Sequence, residues 1–169
     1  AVLSSVPTLH SSTPSGSTFS AWTPDGERVV FHGNKDGSSG LFWKPADGSG
    51  PEERIASSEH FVVPGSWSPD GKLFAFTEVN SNTNDDLWVL SVEGDPSASS
   101  GQGRKAQPFL RTPFREGRPK FSPDGRWLAY VSDESGRAEV YVQAYPGPGG
   151  KWQISTEGGN EIVWAQNGE

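Results

Sequence analysis

Trp67-Ser68-Pro69-Asp70-Gly71, followed by the alternating stretch Lys72–Thr77, is the segment on which the fold turns. It recurs as Trp22-Thr23-Pro24-Asp25-Gly26, as Phe121-Ser122-Pro123-Asp124-Gly125, and in worn form as Trp164-Ala165-Gln166-Asn167-Gly168. The spacings are 45, 54 and 43 residues. Proline presets φ for the second position of a tight turn, aspartate bonds the local backbone, and glycine accepts the left-handed conformation. The aromatic residue ahead of the turn ends a short strand. Alternating strands follow at Arg28–His32, Lys72–Thr77 and Arg126–Val131. Third strands are expected at Leu41–Trp43, Leu87–Val89 and Val140–Val142, and fourth strands at Arg54–Ala56, Pro108–Leu110 and Trp152–Ile154. Repeats near 40–45 residues, each with four short antiparallel strands, predict an all-β, WD-type β-propeller of four-stranded antiparallel blades. The longest spacing contains the Gly/Ser-rich stretch Gly94–Lys105, a loop insertion.

With strands lettered A to D in each blade, the Pro-Asp-Gly turn joins A to B. The expected blades are Ser20–Ser57, Val63–Arg111 and Arg118–Ser155. Partial blade strands flank them, a D strand near Thr8–His10 and an A strand near Ile162–Trp164. The whole chain, 1–169, reads as one partial propeller.

Composition agrees with a folded, loop-rich β protein. The 21 Gly and 14 Pro supply turns, and 7 Trp with 9 Phe supply buried area that disordered chains lack. The net charge of -7, without a run of cations, excludes a nucleic-acid-binding role. No apolar run approaches the roughly 18 residues of a membrane-spanning helix. Cysteine is absent, which removes disulfides and thiolate metal sites. No signal peptide is visible, and the sequence begins at Ala1 without methionine, as a mature product or an excised piece would.

The motifs resemble the repeats of the TolB-like β-propeller family, whose hallmark is aromatic-Ser-Pro-Asp-Gly-Lys/Arg ahead of an apolar strand. Trp67–Phe76 and Phe121–Tyr130 fit closely; Trp22–Phe31 fits with Thr23 for Ser and Glu27 for Lys. Gly117–Gly159 is also similar to propellers C-terminal to some bacterial membrane Ser/Thr kinases, although no kinase signature is present. The family's third strand often ends on Asp, whereas Lys44, Pro45, Leu90, Ser91, Gln143 and Ala144 stand there in this chain. The resemblance implies a non-catalytic binding module in a bacterial periplasmic or extracytoplasmic setting, with a protein or peptide as partner. The alternative it implies is the substrate-filtering propeller of a prolyl-oligopeptidase-like peptidase whose catalytic domain lies elsewhere.

No residues are assigned to catalysis, to a cofactor or to a metal. The turn aspartates serve the turn. Asn80–Asp86 offers oxygen atoms but lacks the glycine and distal glutamate of a calcium loop, so it reads as a polar B–C loop. Gly147–Gly150 reads as a C–D turn. Antiparallel connectivity sends the B–C and D–A loops to one face. His10, His32 and His60 are expected on it around the first blade, and Arg111, Arg115, Arg118 and Arg137 around the third. These seven residues form the candidate partner-binding loop face, arginine being favoured at protein–protein contacts. Three blades leave apolar outer faces, so the chain is expected either to be a piece of a larger propeller or to self-associate into a complete ring, with a symmetric dimer favoured for the isolated chain.

Overall fold

The computed structural model describes residues 19–82, 84–93 and 104–165. Among the described residues twelve strands form three separate four-stranded antiparallel sheets. The first holds β1 (Ser20–Trp22), β2 (Arg28–Lys35), β3 (Ser38–Pro45) and β4 (Glu53–Ser58). The second holds β5 (Phe61–Trp67), β6 (Leu73–Asn80), β7 (Asn84–Ser91) and β8 (Lys105–Leu110). The third holds β9 (Glu116–Phe121), β10 (Trp127–Ser132), β11 (Glu139–Ala144) and β12 (Lys151–Gln153). Each sheet is in sequence order, the meander of a propeller blade.

The repeated turn is the same object three times. Gly26, Gly71 and Gly125 donate their N–H to the carbonyls of Thr23, Ser68 and Ser122, each at 2.9 Å. Their φ values of 73°, 71° and 72° lie where only glycine is unstrained. Thr23, Ser68 and Ser122 are buried, and each hydroxyl donates to the aspartate two residues on. The same oxygens accept the N–H of Arg28, Leu73 and Trp127, the residues that open the B strands.

The B and C strands run further than the alternation suggests, because a tight turn lets the ladder continue to its last pair. In the first blade Asp36-Gly37, with φ of 55° and 75°, closes a two-residue hairpin between Lys35 and Ser38. His32, expected at the end of its strand, is therefore inside β2, paired with Leu41.

The sheets pack face to face. Val30, Leu41 and Ile55 of the first meet Val62, Phe74, Phe76 and Leu90 of the second. On its other side the second sheet sets Ala75 and Val89 against Phe121 and Leu128, and Leu87 against Tyr130 and Tyr141. The inner strands are tied directly, since Phe121 N–H donates to Ser66 Oγ at 2.8 Å.

Of the flanking strands, Thr8–His10 lies outside the described residues. Ile162–Trp164 forms no ladder among the described residues. It still lies beside β9, where Trp164 Nε1 donates to the Lys120 carbonyl at 3.0 Å. Of the repeated aromatics, Phe121 is buried and Trp67 and Trp164 are half-buried. Trp22 differs at 57% exposed, because among the described residues no sheet covers its side of the first blade.

Candidate interaction surface

The loop face carries its chemistry on strand ends rather than on loop tips. Between the second and third blades it gathers buried acids. Asp86, two residues into β7, and Glu139, which opens β11, are both fully buried at equivalent register positions, and Glu116 opens β9. Burial of three carboxylates requires partners, and arginines provide several. Arg111 Nε lies 3.5 Å from Asp86 and Arg137 Nε lies 2.6 Å from Glu139. Glu139 also accepts the Ser155 hydroxyl and the Gly158 N–H, bonds that hold its carboxyl below the usual glutamate range.

Glu116 is treated differently. It is 1% exposed and accepts one bond, from the Thr112 hydroxyl. Its Oε2 has no hydrogen-bond partner among the described residues. Burial pushes its pKa up to about 7, against the Thr112 bond, with the nearby charge of Asp86 pushing the same way. Asp85 is raised as well, by burial, against the pull of Arg115.

The four arginines singled out from the sequence thus meet protein groups. Arg111 and Arg137 hold the buried acids. Arg118, at a φ of 57°, donates to the Asn160 carbonyl at 2.7 Å and pairs with Glu161 at 2.6 Å. The Arg115 main-chain N–H donates to Asp133 Oδ1 at 2.9 Å. Of the histidines, His10 lies outside the described residues. The His32 ring sits 4.3 Å from that of Phe61, bonds Ser39 through Nε2 at 3.2 Å, and is held below its ordinary pKa by burial. His60 is the residue before Phe61, and its N–H donates to Ser58 Oγ. Both lie at the seam of the first and second blades. Among the described residues no group of three acids, histidines or cysteines is arranged to hold a metal ion.

The sequence reading missed Asp86, Glu116 and Glu139. Nothing in the alternation distinguishes a buried acid that opens a strand from an exposed one in the preceding loop; the register equivalence of Asp86 and Glu139 was the available signal. It also missed a cleft of about 560 Å³ on the opposite, turn-bearing face, lined by Asp25, Arg28, Trp43, Trp67 and Asp70 among others. The guanidinium groups of Arg28 and Arg104 lie over the Trp43 ring there, at 4.2 and 4.5 Å, and its Nε1 donates to Glu53.

Both sequence and fold point to one group of relatives. TolB of the Tol-Pal system from Bordetella pertussis is 27% identical over 137 residues, which cover 60% of this chain and 31% of that protein. TolB from Acinetobacter baumannii superposes with a TM-score of 0.67 at 19% identity, over 89% of this chain and 35% of that one. The blades are TolB-like. A candidate TolB from Agrobacterium tumefaciens matches with a TM-score of 0.66 at 21% identity, over 83% of this chain and 48% of the other. A solved prolyl endopeptidase shares the fold more loosely, with a TM-score of 0.56 at 18% identity, over 85% of this chain and 22% of that one. The chain spans less than a third of the length of its TolB relative from Bordetella and about half of the Agrobacterium structure. No family model matches the sequence. No helix among the described residues is long and apolar enough to cross a membrane.

Proposed function

We propose that this TolB-like propeller is a non-catalytic binding module, presenting its B–C and D–A loop face to a protein or peptide partner in an extracytoplasmic compartment. The observation that supports the reading is the build of that face. Arg111 and Arg137, beside strand ends, are held by acids buried beneath them, so a partner meets a preorganised surface and little ordering entropy opposes binding. Arg118 and Glu161 are exposed, as are Arg111 and Arg137 on their outer edges. His32, His60, Arg115 and these residues are the contact set of the proposal, with His10. A ring completed by two copies belongs to the same reading.

Peptides selected from a display library against the chain test it. Charge reversal at Arg115 or Arg118 should weaken the selected peptides by tenfold or more, while reversal of Lys72 on the turn face should leave binding unchanged. Binding that ignores the loop-face reversals, or follows Lys72, overturns the assignment. The prolyl endopeptidase likeness supports a second reading, a propeller that filters substrate for a separate hydrolase domain. Hydrolysis of a proline-containing peptide by the gene product, stopped by a serine-directed inhibitor, would favour it.

A further inference from the structure

The cleft on the turn-bearing face opens at the seam of the first and second blades, and the repeat shows what the next seam holds in its place. Ala46, Val92 and Tyr145 are equivalent residues. Each donates its N–H to the carbonyl of the residue after the turn glycine, Glu27, Lys72 and Arg126, at 2.8, 2.9 and 2.9 Å. Trp67 and Phe121 are equivalent in the repeated motif. Trp43 and Val89 are equivalent in register, paired with Val30 and Ala75.

At the second seam the Tyr145 ring stands edge to face on Phe121 at 5.1 Å and lies 5.8 Å from Phe109, packed on the cluster that holds Val89. At the first seam the tyrosine position carries Val92, whose side chain is too short to reach as far as a phenol ring. Trp43, Trp67 and Val92 there wall a cleft of about 560 Å³. Ligand clefts hold about 300–1,000 Å³, so the space takes a ring together with the backbone that carries it. No other aromatic residue of this sequence supplies that ring. The 7 Trp, 3 Tyr and 9 Phe all lie among the described residues, and of these only Trp43 and Trp67 line the cleft.

The charged residues of the lining are Asp25, Glu27 and Asp70 against Arg28, so the rim is acidic on balance. The hydroxyls of Thr23 and Ser68, helped by backbone N–H groups, hold the Asp25 and Asp70 carboxyls below the usual range. Both therefore stay charged near neutral pH, where a cation beside the ring would meet them.

We propose that this cleft docks a peptide segment of a protein partner through one tyrosine side chain flanked by lysine or arginine. The incoming ring meets Trp67 as Tyr145 meets Phe121, so the first seam is filled from outside as the second is filled from within. A single aromatic anchor in a pocket carries much of the affinity of such a contact. Every residue that lines the cleft belongs to the first two blades. The site lies on the face opposite the loop-face arginines and does not depend on binding there.

Titration of the ¹⁵N-labelled chain with capped Lys-Tyr-Lys, followed through the tryptophan indole N–H signals, tests the proposal. The Trp43 and Trp67 signals, assigned with Trp43→Phe and Trp67→Phe, should shift saturably. Lys-Ala-Lys should leave them in place, and Glu-Tyr-Glu should bind several-fold more weakly. Val92→Tyr, which gives the first seam its own ring, should abolish the shifts and raise the melting temperature. Absence of any shift, shifts that Lys-Ala-Lys reproduces, or shifts that persist in a folded Val92→Tyr overturn the docking site. Equal binding of Glu-Tyr-Glu overturns the cationic flank. Free 4-methylphenol binding as tightly as Lys-Tyr-Lys overturns the peptide as occupant. If Val92→Tyr loses its native circular dichroism, Glu27→Lys at an exposed rim position serves instead. It should weaken Lys-Tyr-Lys several-fold, and an unchanged affinity counts against the site.

Discussion

Ser68 shows how one hydroxyl carries a turn. It donates to Asp70 at 2.6 Å and accepts the Leu73 N–H at 3.0 Å, in a buried position. Ser68→Ala leaves the Leu73 N–H without its partner, and an unsatisfied buried donor costs about 1–3 kcal/mol. Chemical denaturation should show that loss with an unchanged m-value. The hydroxyl bond also lowers the pKa of Asp25, Asp70 and Asp124, the last to about 2, with backbone N–H groups helping. These folded values lie below the unfolded one, so the aspartates stabilise the fold above pH 4 and that contribution fades as pH falls toward 2. Glu116 has the opposite sign. Its folded pKa of about 7 exceeds the ordinary 4.5, so its contribution is complete below pH 4.5 and is lost as pH rises through 7. Asp86, Glu134 and Lys151 surround it electrostatically. Melting temperature should fall between pH 5 and 8, and Glu116→Gln should flatten that fall. An unchanged slope in the variant would mean that other groups govern it.

At the scale of the strand, the blades meet through close backbone approach as well as side-chain packing. Gly65 sits at an irregularity of β5, where a Cβ would lie 2.5 Å from the Ala75 carbonyl oxygen and 2.7 Å from Pro119 Cγ. Gly65→Ala must push the second and third blades apart, and overpacking of this kind costs about 1–3 kcal/mol. The expected readout is a lower denaturation midpoint, with faster hydrogen exchange in β5 and β9 than in β2 and β3. The same scale explains what the residue pattern conveyed. Turn position, strand order and strand phase were legible because Pro-Asp-Gly and alternation are local signals. The extension of β2 to Lys35 was not, since Gly33 and Asn34 carry no strand preference and hold the ladder only because Gly40 and Ser39 lie opposite.

For the whole molecule, position in the array decides how much a core residue matters. Phe76, in the second blade, is buried between the first and second sheets. Its truncation to alanine should cost about 3–5 kcal/mol. Phe31 is the matching residue of the first blade but stands on an outer face and is only half-buried, so Phe31→Ala should cost clearly less in the monomer. Urea melts of the two variants side by side check the order, and equal losses would argue that the outer face is already covered in solution.

The sequence alone settled the all-β class, the three Pro-Asp-Gly turns and the TolB-like repeat, because each rests on residues adjacent in the chain. It placed His32, Arg111, Arg115, Arg118 and Arg137 near the loop face, but could not tell which acids they would meet. Asp86 and Arg111 are separated along the chain and meet only because β8 pairs with β7, and Arg118 and Glu161 meet only because the segment after the third blade lies beside β9. The burial of Glu116, and with it a carboxyl poised near neutral pH, likewise arises where two sheets close over one side chain. Local conformational preference selects turns and strands; desolvation and ion pairing depend on what a distant strand places alongside, and the tertiary structure alone decides that.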